Sequence, residues 1–363
     1  MTLYEELKVE VDKGLSGDVA YIPFGLERLD KYVELARNTL YVVGGESGSG
    51  KSTLVTDVFV TKPIQYMINN PNSGLKLNIK FLSMERKQYM NSAKMTSRMI
   101  FEQTGYIIDI KKMLGRGSTM NDTEQSYFEA TEEIWMDYEK YLYVKEGVTK
   151  CEELKELIHK WGKEYGEIIT EVDKDGVKKQ TYKPYHDKQI VEIIIDHLGI
   201  AGRNKEEMDA ISEVIRKGRD FYGFSFVVIV QLNRDISSVN RAKANSKPKL
   251  SDIHGTSSIS HDADNVFLMF DPFRHVNVEE SGEEVKDACN YDLSMLMSNE
   301  QKYYRALYLV KNSFAPDGMG IGLGFMGVCG IYKSLPKASD MTEDDYLHVT
   351  SLMIFRPHQK KLF

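Results

Sequence analysis

The sequence predicts an α/β fold in which a mainly parallel, twisted sheet is flanked by helices and extended by antiparallel strands towards the C-terminal end. Three observations support this fold class. Near-continuous apolar runs, which are typical of strands buried on both faces, occur at residues 39–45, 78–84, 190–196, 224–233 and 265–271. The stretches between these runs have helical patterns, which indicates right-handed crossovers between parallel strands. Two later runs, 305–313 and 320–332, are typical of added antiparallel strands.

The composition excludes several classes of protein. The chain has 363 residues and a formal net charge of -7, so a uniformly basic nucleic-acid coat is excluded, whereas a local basic patch is not. Its three cysteines, Cys151, Cys289 and Cys329, fit neither a zinc spacing nor a disulfide framework. No apolar run approaches the roughly 20 residues that a membrane span needs. We therefore expect no membrane contact and a cytoplasmic location, which is the host cytoplasm if the chain comes from a phage or mobile element.

An N-terminal arm precedes the predicted domain. Within residues 1–20, four apolar residues recur at steps of four and predict a helix with one apolar stripe; they are Leu3, Leu7, Val11 and Leu15. This helix either packs on its own domain or docks, as a linker, on a neighbouring subunit.

The rest of the chain is interpreted as one domain, residues 21–340, followed by a C-terminal tail, residues 341–363. Two insertions are predicted within the domain, near residues 164–188 and 277–300, and both are expected to be exposed. The first contains an Asp-Gly pair between alternating polar and apolar residues, which favours a hairpin turn. The second is acidic and lacks clear periodicity.

A glycine-rich segment after the first long strand predicts a nucleotide site. Residues 45–52, GESGSGKS, match the phosphate-binding pattern G-x-x-x-x-G-K-[ST] without a mismatch. Lys51 should reach the β- and γ-phosphates, and Ser52 should ligate Mg²⁺, so ATP and Mg²⁺ are the expected cofactors. The alternative is a glycine turn without a ligand. The predicted nucleotide-binding residues are Gly45, Glu46, Ser47, Gly48, Ser49, Gly50, Lys51, Ser52 and Thr53.

Polar residues at three other strand ends complete the predicted catalytic site, because ligands of open α/β sheets bind at the carboxyl ends of the strands. Asp196 should hold the metal together with Ser52, unless it only caps a helix. Glu85 follows the strand ending at Met84 and should orient the attacking water; otherwise it is a surface glutamate that starts the next helix. Gln231 is placed to sense the γ-phosphate without adding charge, or it is simply a polar residue at a strand end.

Several motifs, in order along the chain, resemble those of hexameric replicative helicases of the DnaB type. After the phosphate loop, the most specific match is Gln231-Leu232-Asn233-Arg234. The other matches are Ser83-Met84-Glu85 and the segments at 22–33, 142–161, 193–202 and 251–270. The resemblance extends from Ile22 to about Gly327. It implies a RecA-like P-loop NTPase core that assembles into a ring and pulls single-stranded DNA through its channel. It also gives Glu85 the role of catalytic glutamate.

The same resemblance implies that each subunit supplies a lysine and an arginine finger to its neighbour's site. Lys311 matches the lysine, but Ser313 stands where the finger is expected. Three explanations are open: another arginine such as Arg305 or Arg356 substitutes, turnover is slow, or the finger comes from a different partner chain. His254 likewise stands in the usual position of a DNA-facing arginine.

A local reversal of charge predicts the DNA-facing surface. Residues 234–250 are basic within an acidic protein and lack apolar periodicity, which is typical of a mobile loop. The family places DNA-binding loops here and at 253–260; the alternative is a solvated loop. The predicted DNA-binding residues are Arg234, Arg241, Lys243, Lys247, Lys249, His254, Gly255, Thr256 and Ser257.

The function that follows from the residues and the resemblance is ATP-dependent, ring-forming DNA helicase or translocase activity in replication. The expected partners are single-stranded DNA and further copies of the chain, in a ring that is hexameric in this family, with a primase or loader protein as a candidate partner. We expect no collar domain ahead of the first helix. Two alternatives remain at this point: a RecA- or KaiC-like ATPase that acts as a recombination mediator, and an accessory assembly subunit with weak hydrolysis.

Overall fold

The computed structural model describes residues 2–16, 19–84, 87–172, 176–198, 205–233, 247–254, 258–275, 285–297, 303–347 and 349. Its helices are numbered along the chain as α1 (Leu3–Ser16), α2 (Lys51–Val55), α3 (Lys62–Asn69), α4 (Gln88–Thr104), α5 (Ile110–Met113), α6 (Asp122–Glu129), α7 (Glu132–Tyr138), α8 (Cys151–Tyr165), α9 (Lys205–Tyr222), α10 (Ser258–Asp262), α11 (Leu293–Met297) and α12 (Glu343–Leu347). A π-helical turn, Thr56–Thr61, joins α2 to α3. None of the helices in this part of the chain combines the length and apolarity of a membrane span.

The strands are β1 (Tyr21–Ile22), β2 (Leu35–Ala36), β3 (Leu40–Gly45), β4 (Lys76–Ser83), β5 (Leu142–Glu146), β6 (Gly166–Val172), β7 (Lys178–Pro184), β8 (Gln189–Asp196), β9 (Ser225–Gln231), β10 (Asn265–Phe270), β11 (Tyr304–Asn312), β12 (Met319–Met326) and β13 (Ile331–Ser334). Nine of them form the main sheet of the described chain, in the order β13-β12-β11-β10-β3-β9-β8-β4-β5. The six from β10 to β5 are parallel, and β11 to β13 are antiparallel. The predicted fold class is therefore confirmed, with the last predicted run divided into β12 and β13.

The central strands are apolar along their whole length because both faces of the sheet are covered. Successive residues of β3 alternate between two core clusters: Leu40 and Val42 pack in one, and Tyr41 and Val43 in the other. All six residues of β3 are buried. A parallel sheet with helices on both faces requires this pattern, and it brings the carboxyl ends of β3, β9, β8 and β4 to one edge.

Helix α1 is present, as the four-residue spacing predicts, but its apolar stripe is exposed. Leu3 and Leu15 are 87% and 82% exposed, and Leu7 and Val11 also lie in the solvent. Packing of this helix on its own domain is therefore wrong. The structure leaves the other alternative, an arm whose apolar face is available to a second molecule.

The two predicted insertions differ in burial. Strands β6 and β7 form an antiparallel hairpin whose residues are mostly exposed, as predicted. Within the second insertion, however, residues 285–297 contribute Tyr291, Leu293 and Leu296 to the core, so their predicted exposure is wrong. Asp287 is also buried, and its carboxylate accepts hydrogen bonds from the Tyr304 hydroxyl at 2.5 Å and from the Tyr291 N–H at 3.0 Å. The acidic composition of the segment gave no indication that these side chains would be buried.

A buried acid on β8 gives the fold a pH dependence. Glu192 is fully buried, and neither of its carboxyl oxygens has a hydrogen-bond partner among the described residues. Burial raises its pKa well above the ordinary value of 4.5. The native state therefore retains this proton at pH values where the unfolded chain releases it.

Glu192→Gln is expected to raise the free energy of unfolding above about pH 4.5, by up to about 1.4 kcal/mol for each pH unit between the unfolded and folded pKa values. The gain arises because a raised carboxyl pKa costs stability as the pH rises, and it vanishes at lower pH, where both states are protonated. Urea unfolding across this pH range measures it. Glu213→Gln is the control. Lys217 lowers the pKa of Glu213, so this variant should lose stability relative to the unmodified protein as the pH rises, which is the opposite of the trend for Glu192→Gln. Identical pH profiles for Glu192→Gln and the unmodified protein would contradict the prediction.

Candidate functional site

The loop between β3 and α2 has the backbone of a phosphate cradle. Gly48 and Gly50 have φ values of +74° and +106°, which L side chains rarely adopt. A Cβ on Gly45 would lie 2.7 Å from Ser49 Oγ, so the loop can close only around glycine. The cradle ends where α2 begins, and the free N–H groups of a helix start favour anions. The glycines therefore have the backbone geometry that a phosphate-binding loop needs.

The Lys51 amine lies inside this loop. Lys51 is 8% exposed, and its Nζ donates a hydrogen bond to the Glu46 carbonyl at 3.0 Å. The same carbonyl accepts a bond from the Ser49 N–H at 3.1 Å. Because the carbonyl keeps that second donor, the amine can turn towards a phosphate without leaving the carbonyl unpaired.

Ser52 and Asp196 meet across the sheet edge, as the strand-end argument predicts. Ser52 Oγ donates to Asp196 Oδ1 at 3.1 Å, and Asp196 is 2% exposed. A hydroxyl and a carboxylate at this separation are hard oxygen donors of the kind that Mg²⁺ prefers, with other positions left to water and phosphate. The pair therefore fits a Mg²⁺ ion held beside the loop.

The end of β9 lies next to this pair. Gly45 and Gln231 are paired in register, and Gln231 Nε2 lies 3.3 Å from His197 Nε2. The Gln231 carbonyl accepts a hydrogen bond from the His254 N–H at 2.9 Å. Gln231 is therefore in contact with the carboxylate segment on one side and with a predicted DNA-facing residue on the other.

Glu85 lies outside the described residues, but the residues before and after it are ordered around the same edge. The Met84 N–H donates to the Asp196 carbonyl at 2.8 Å. After it, α4 begins at the end of β5, where Glu146 accepts from the Gln88 N–H at 2.5 Å and pairs with Lys87. These two partners lower the pKa of Glu146. The described residues on either side of this gap, Met84 and Lys87, therefore contact the carboxyl ends of β8 and β5.

Lys311 lies far from the loop of its own chain. It pairs with Val266 on β10, and Val266 pairs with Val42 on β3, three residues before the loop begins, or roughly 10 Å along the strand. Its amine donates to the carbonyls of His261 at 2.7 Å and Ser260 at 3.3 Å. Lys311 and the phosphate loop are therefore at different edges of one sheet.

The arginines considered as replacements for the missing finger fall in different places. Ser313 is exposed beside Lys311, and its N–H donates to the Asp264 carbonyl at 2.9 Å. Arg305 is 8% exposed and donates to the Ser49 carbonyl at 3.1 Å, so it is fixed on the loop of its own chain. Such a side chain does not suit a neighbour's site. Arg356 lies outside the described residues.

Sequence reasoning missed a group of side chains that contact the loop. Arg274 donates to the carbonyls of Ser47 at 2.6 Å and Gly48 at 3.0 Å. His275 lies 2.6 Å from a Glu46 carboxyl oxygen. The Tyr332 hydroxyl donates to the Gly50 carbonyl at 3.1 Å. The position of Arg274 and His275 just after a strand on the loop's edge was the available signal.

The predicted DNA-binding residues are only partly within the described chain. Lys247, Lys249 and His254 lie in it, and their segment returns to the end of β9, where Leu232 and Ile253 form a bridge. Lys249 and His254 are exposed. The remaining predicted residues lie outside the described part: Arg234, Arg241, Lys243, Gly255, Thr256 and Ser257.

Comparison with known proteins identifies the family. The family model described as DnaB-like helicase C terminal domain matches residues 22–297. A solved structure that is described as an ATPase domain has a TM-score of 0.61 at 14% identity, over 92% of this chain and 98% of that chain. A DnaB-like replicative helicase, described with its interactions with primase, has a TM-score of 0.60 at 14% identity, over 93% of this chain and 67% of that chain.

A third structure is the KaiC-like protein PH0186 from Pyrococcus horikoshii OT3, with a TM-score of 0.45 at 13% identity, over 88% of this chain and 100% of that chain. A search of curated proteins finds no significant match. The first two structural similarities show a RecA-like fold. Since the family model covers well over half of the sequence, the chain belongs to the DnaB-like helicase C-terminal domain family.

Proposed function

We propose that this chain is an ATP-dependent, ring-forming DNA helicase or translocase that hydrolyses ATP between subunits and moves along single-stranded DNA during replication. One observation carries the proposal. The phosphate loop, the Ser52–Asp196 pair and Gln231 share one edge of the sheet, while Lys311 lies away from them on a distant part of β11. If Lys311 contributes to hydrolysis, it does so in the site of another copy.

In this proposal, the N–H groups of residues 45–53 and the Lys51 amine hold the phosphates of ATP. Ser52 and Asp196 hold Mg²⁺, which supplies positive charge to the phosphate oxygens when bound. Glu85, two residues after the end of β4 in the sequence, orients the attacking water. Gln231 contacts the γ-phosphate and, through the hydrogen bond between its carbonyl and the His254 N–H, passes the change to the DNA-facing segment.

Lys247, Lys249 and His254 are the described residues that face DNA in this proposal. Lysine side chains and backbone N–H groups bind phosphates without reading sequence, so the affinity should fall with rising salt concentration. Arg234, Arg241, Lys243, Gly255, Thr256 and Ser257 are proposed to complete this surface. The similarity to a helicase described with primase makes a primase a candidate partner, beside a loader protein.

A second function is favoured by the absence of an arginine at the finger position. Ser313 is a short neutral side chain, and Arg305 is held on its own loop by the Ser49 carbonyl and Asp271. An accessory subunit with weak hydrolysis, which gains an arginine from a different chain in a mixed ring, would have this arrangement. A rate gain on mixing with a finger-bearing helicase would support this alternative.

A forked-substrate assay tests the main proposal. The purified chain, with ATP and Mg²⁺, is expected to displace a strand from forked DNA, and single-stranded DNA is expected to stimulate its ATP hydrolysis. Analytical ultracentrifugation should show assembly that depends on nucleotide. A chain that stays monomeric and hydrolyses ATP at a rate unaffected by DNA would contradict the proposal.

Deletion of residues 1–16 is expected to abolish the oligomer and leave the fold intact. Helix α1 exposes Leu3, Leu7 and Leu15, and each such side chain contributes about 1.5–3 kcal/mol when fully buried, so its apolar face can stabilise contact with a neighbouring subunit. Size-exclusion chromatography with nucleotide measures the oligomer, and circular dichroism measures the fold. The control is Lys8→Ala, on the same helix but outside the stripe. Unchanged rings after the deletion would exclude α1 as the docking arm.

A further inference from the structure

Side chains hold the backbone of the phosphate loop, and three of them, Arg274, Arg305 and Tyr332, have no role in the hydrolysis proposed above. The backbone carbonyls of five consecutive loop residues each accept a side-chain hydrogen bond. The donors are Lys51 to Glu46, Arg274 to Ser47 and Gly48, Arg305 to Ser49, and Tyr332 to Gly50. Because the N–H and the carbonyl of one peptide unit point in opposite directions, side chains that hold the carbonyls also fix the directions of the N–H groups.

One carboxylate connects the two arginines. Asp271 Oδ2 lies 3.3 Å from Arg274 Nε and 3.1 Å from Arg305 Nη2. The Asp271 side chain is 5% exposed, and it follows β10, the parallel neighbour of β3. The loop is therefore braced from the strand beside the one that carries it.

Arg305 and Tyr332, the other two side chains that hold the loop in this way, are buried. The Arg305 guanidinium lies 4.8 Å from the centre of the Phe325 ring, and Phe325 stacks on Tyr332 with ring centres 4.6 Å apart. Arg274 differs because its side chain is 42% exposed and carries two of the five carbonyl contacts. It is the member whose loss should alter the loop without opening the core.

We propose that Arg274, anchored on Asp271, is a positioning residue that holds the phosphate loop in its binding conformation before the nucleotide arrives. The inference rests on the proposed function only in taking a nucleoside triphosphate as the ligand. Gly48 fits this role, because a Cβ there would lie 2.8 Å from Arg274 Nη2. Without the brace the loop must be ordered during binding, and that ordering weakens affinity.

The test compares Arg274→Gln with Arg274→Lys and with Arg216→Gln. Arg216 is a matched control, since its side chain is 43% exposed and pairs with Asp220 at 3.7 Å on α9.

Losing two charge-assisted hydrogen bonds from a half-exposed group should weaken binding of a fluorescent ATP analogue with Mg²⁺ by about tenfold. The rate of hydrolysis at saturating ATP should stay within about twofold, because the contacts are to backbone and not to phosphate. Lysine can donate to one carbonyl but lacks the guanidinium fork, so the affinity of Arg274→Lys for the ATP analogue should lie between those of Arg274→Gln and the unmodified protein.

A second measurement needs no nucleotide. Hydrogen exchange of the Ser49 amide, which is bonded to the Glu46 carbonyl, should be faster in Arg274→Gln than in the unmodified protein and unchanged in Arg216→Gln. A lower rate of hydrolysis with unchanged affinity would overturn the positioning role and place Arg274 on the phosphates. Unchanged affinity and unchanged exchange would overturn the brace itself. If the unmodified chain bound no nucleotide, the proposed function would fail, while the exchange comparison would still decide the brace.

Discussion

Lys51→Ala is expected to lower the rate of ATP hydrolysis by about 100- to 1000-fold, the usual effect of removing one fixed donor from a site of developing charge. The Lys51 amine lies inside the loop, and the Glu46 carbonyl to which it donates keeps the Ser49 N–H when the amine leaves. Turning the amine towards a phosphate therefore costs little, on the order of 1 kcal/mol. Most of its interaction with the transferring phosphoryl group remains available for catalysis.

The measurement is steady-state hydrolysis with and without single-stranded DNA, alongside unwinding of a forked substrate. Lys140→Ala is the control, since that lysine is exposed and pairs with the nearby Asp137. Thermal unfolding of both variants should match the unmodified protein within a few degrees. Retention of most of the hydrolysis by Lys51→Ala would show that the loop is not the site of the reaction.

The parts of this site that sequence could predict are those set by strand ends. The apolar runs fix which residues end β3, β8 and β9, and parallel pairing brings those ends to one edge. For this reason Ser52 and Asp196 are predicted as partners, and they do meet at 3.1 Å. The position of Lys311 away from its own loop also follows once β11 is known to run antiparallel to β10.

The brace could not be predicted in the same way. Arg274 contacts backbone carbonyls, and the direction of a loop carbonyl depends on dihedral angles that no side-chain pattern reports. Arg305 illustrates the same limit, because its spacing along the chain is compatible with a finger, whereas its burial against Phe325 is a tertiary effect. Residues 285–297 are part of a segment, 277–300, whose acidic composition predicts exposure, yet Tyr291 and Leu293 are buried.

Arg98→Met is expected to lower the free energy of unfolding by about 3–5 kcal/mol, because it removes one partner of a buried ion pair. Arg98 on α4 contacts Asp57 on the π-helical turn, and their side chains are 3% and 0% exposed. Although burial opposes the charge on Arg98, Asp57 and Glu102 raise its pKa. Lys62 also pairs with Asp57, at 3.2 Å. In Arg98→Met, Lys62 would be the one cation left beside a carboxylate that interacts with two cations in the unmodified protein.

A double variant separates the charge from the packing. In Arg98→Met with Asp57→Asn, the amide oxygen can still accept the Tyr332 N–H, which donates to Asp57 Oδ2 at 2.8 Å. Lys62 loses its carboxylate in this variant, but burial lowers the pKa of its amine, so the amine can become neutral. Replacing both charges of the Arg98–Asp57 pair should then recover part of the loss from the single change, and the double variant should be more stable than Arg98→Met alone. Urea unfolding followed by circular dichroism gives the free energies, with the exposed Arg116→Met as control.

The network has a consequence for the phosphate loop that makes the double variant informative. Asp57 lies on the helical turn after α2, and its partner Tyr332 holds the Gly50 carbonyl through the ring hydroxyl. Arg98 belongs to the helix that follows residue 85. If the ion pair only supports the core, the double variant should bind ATP as well as the unmodified protein. If the ion pair also fixes the loop against α4, the double variant should regain stability but bind ATP more weakly. Equal losses of stability in the single and double variants would contradict the charge argument.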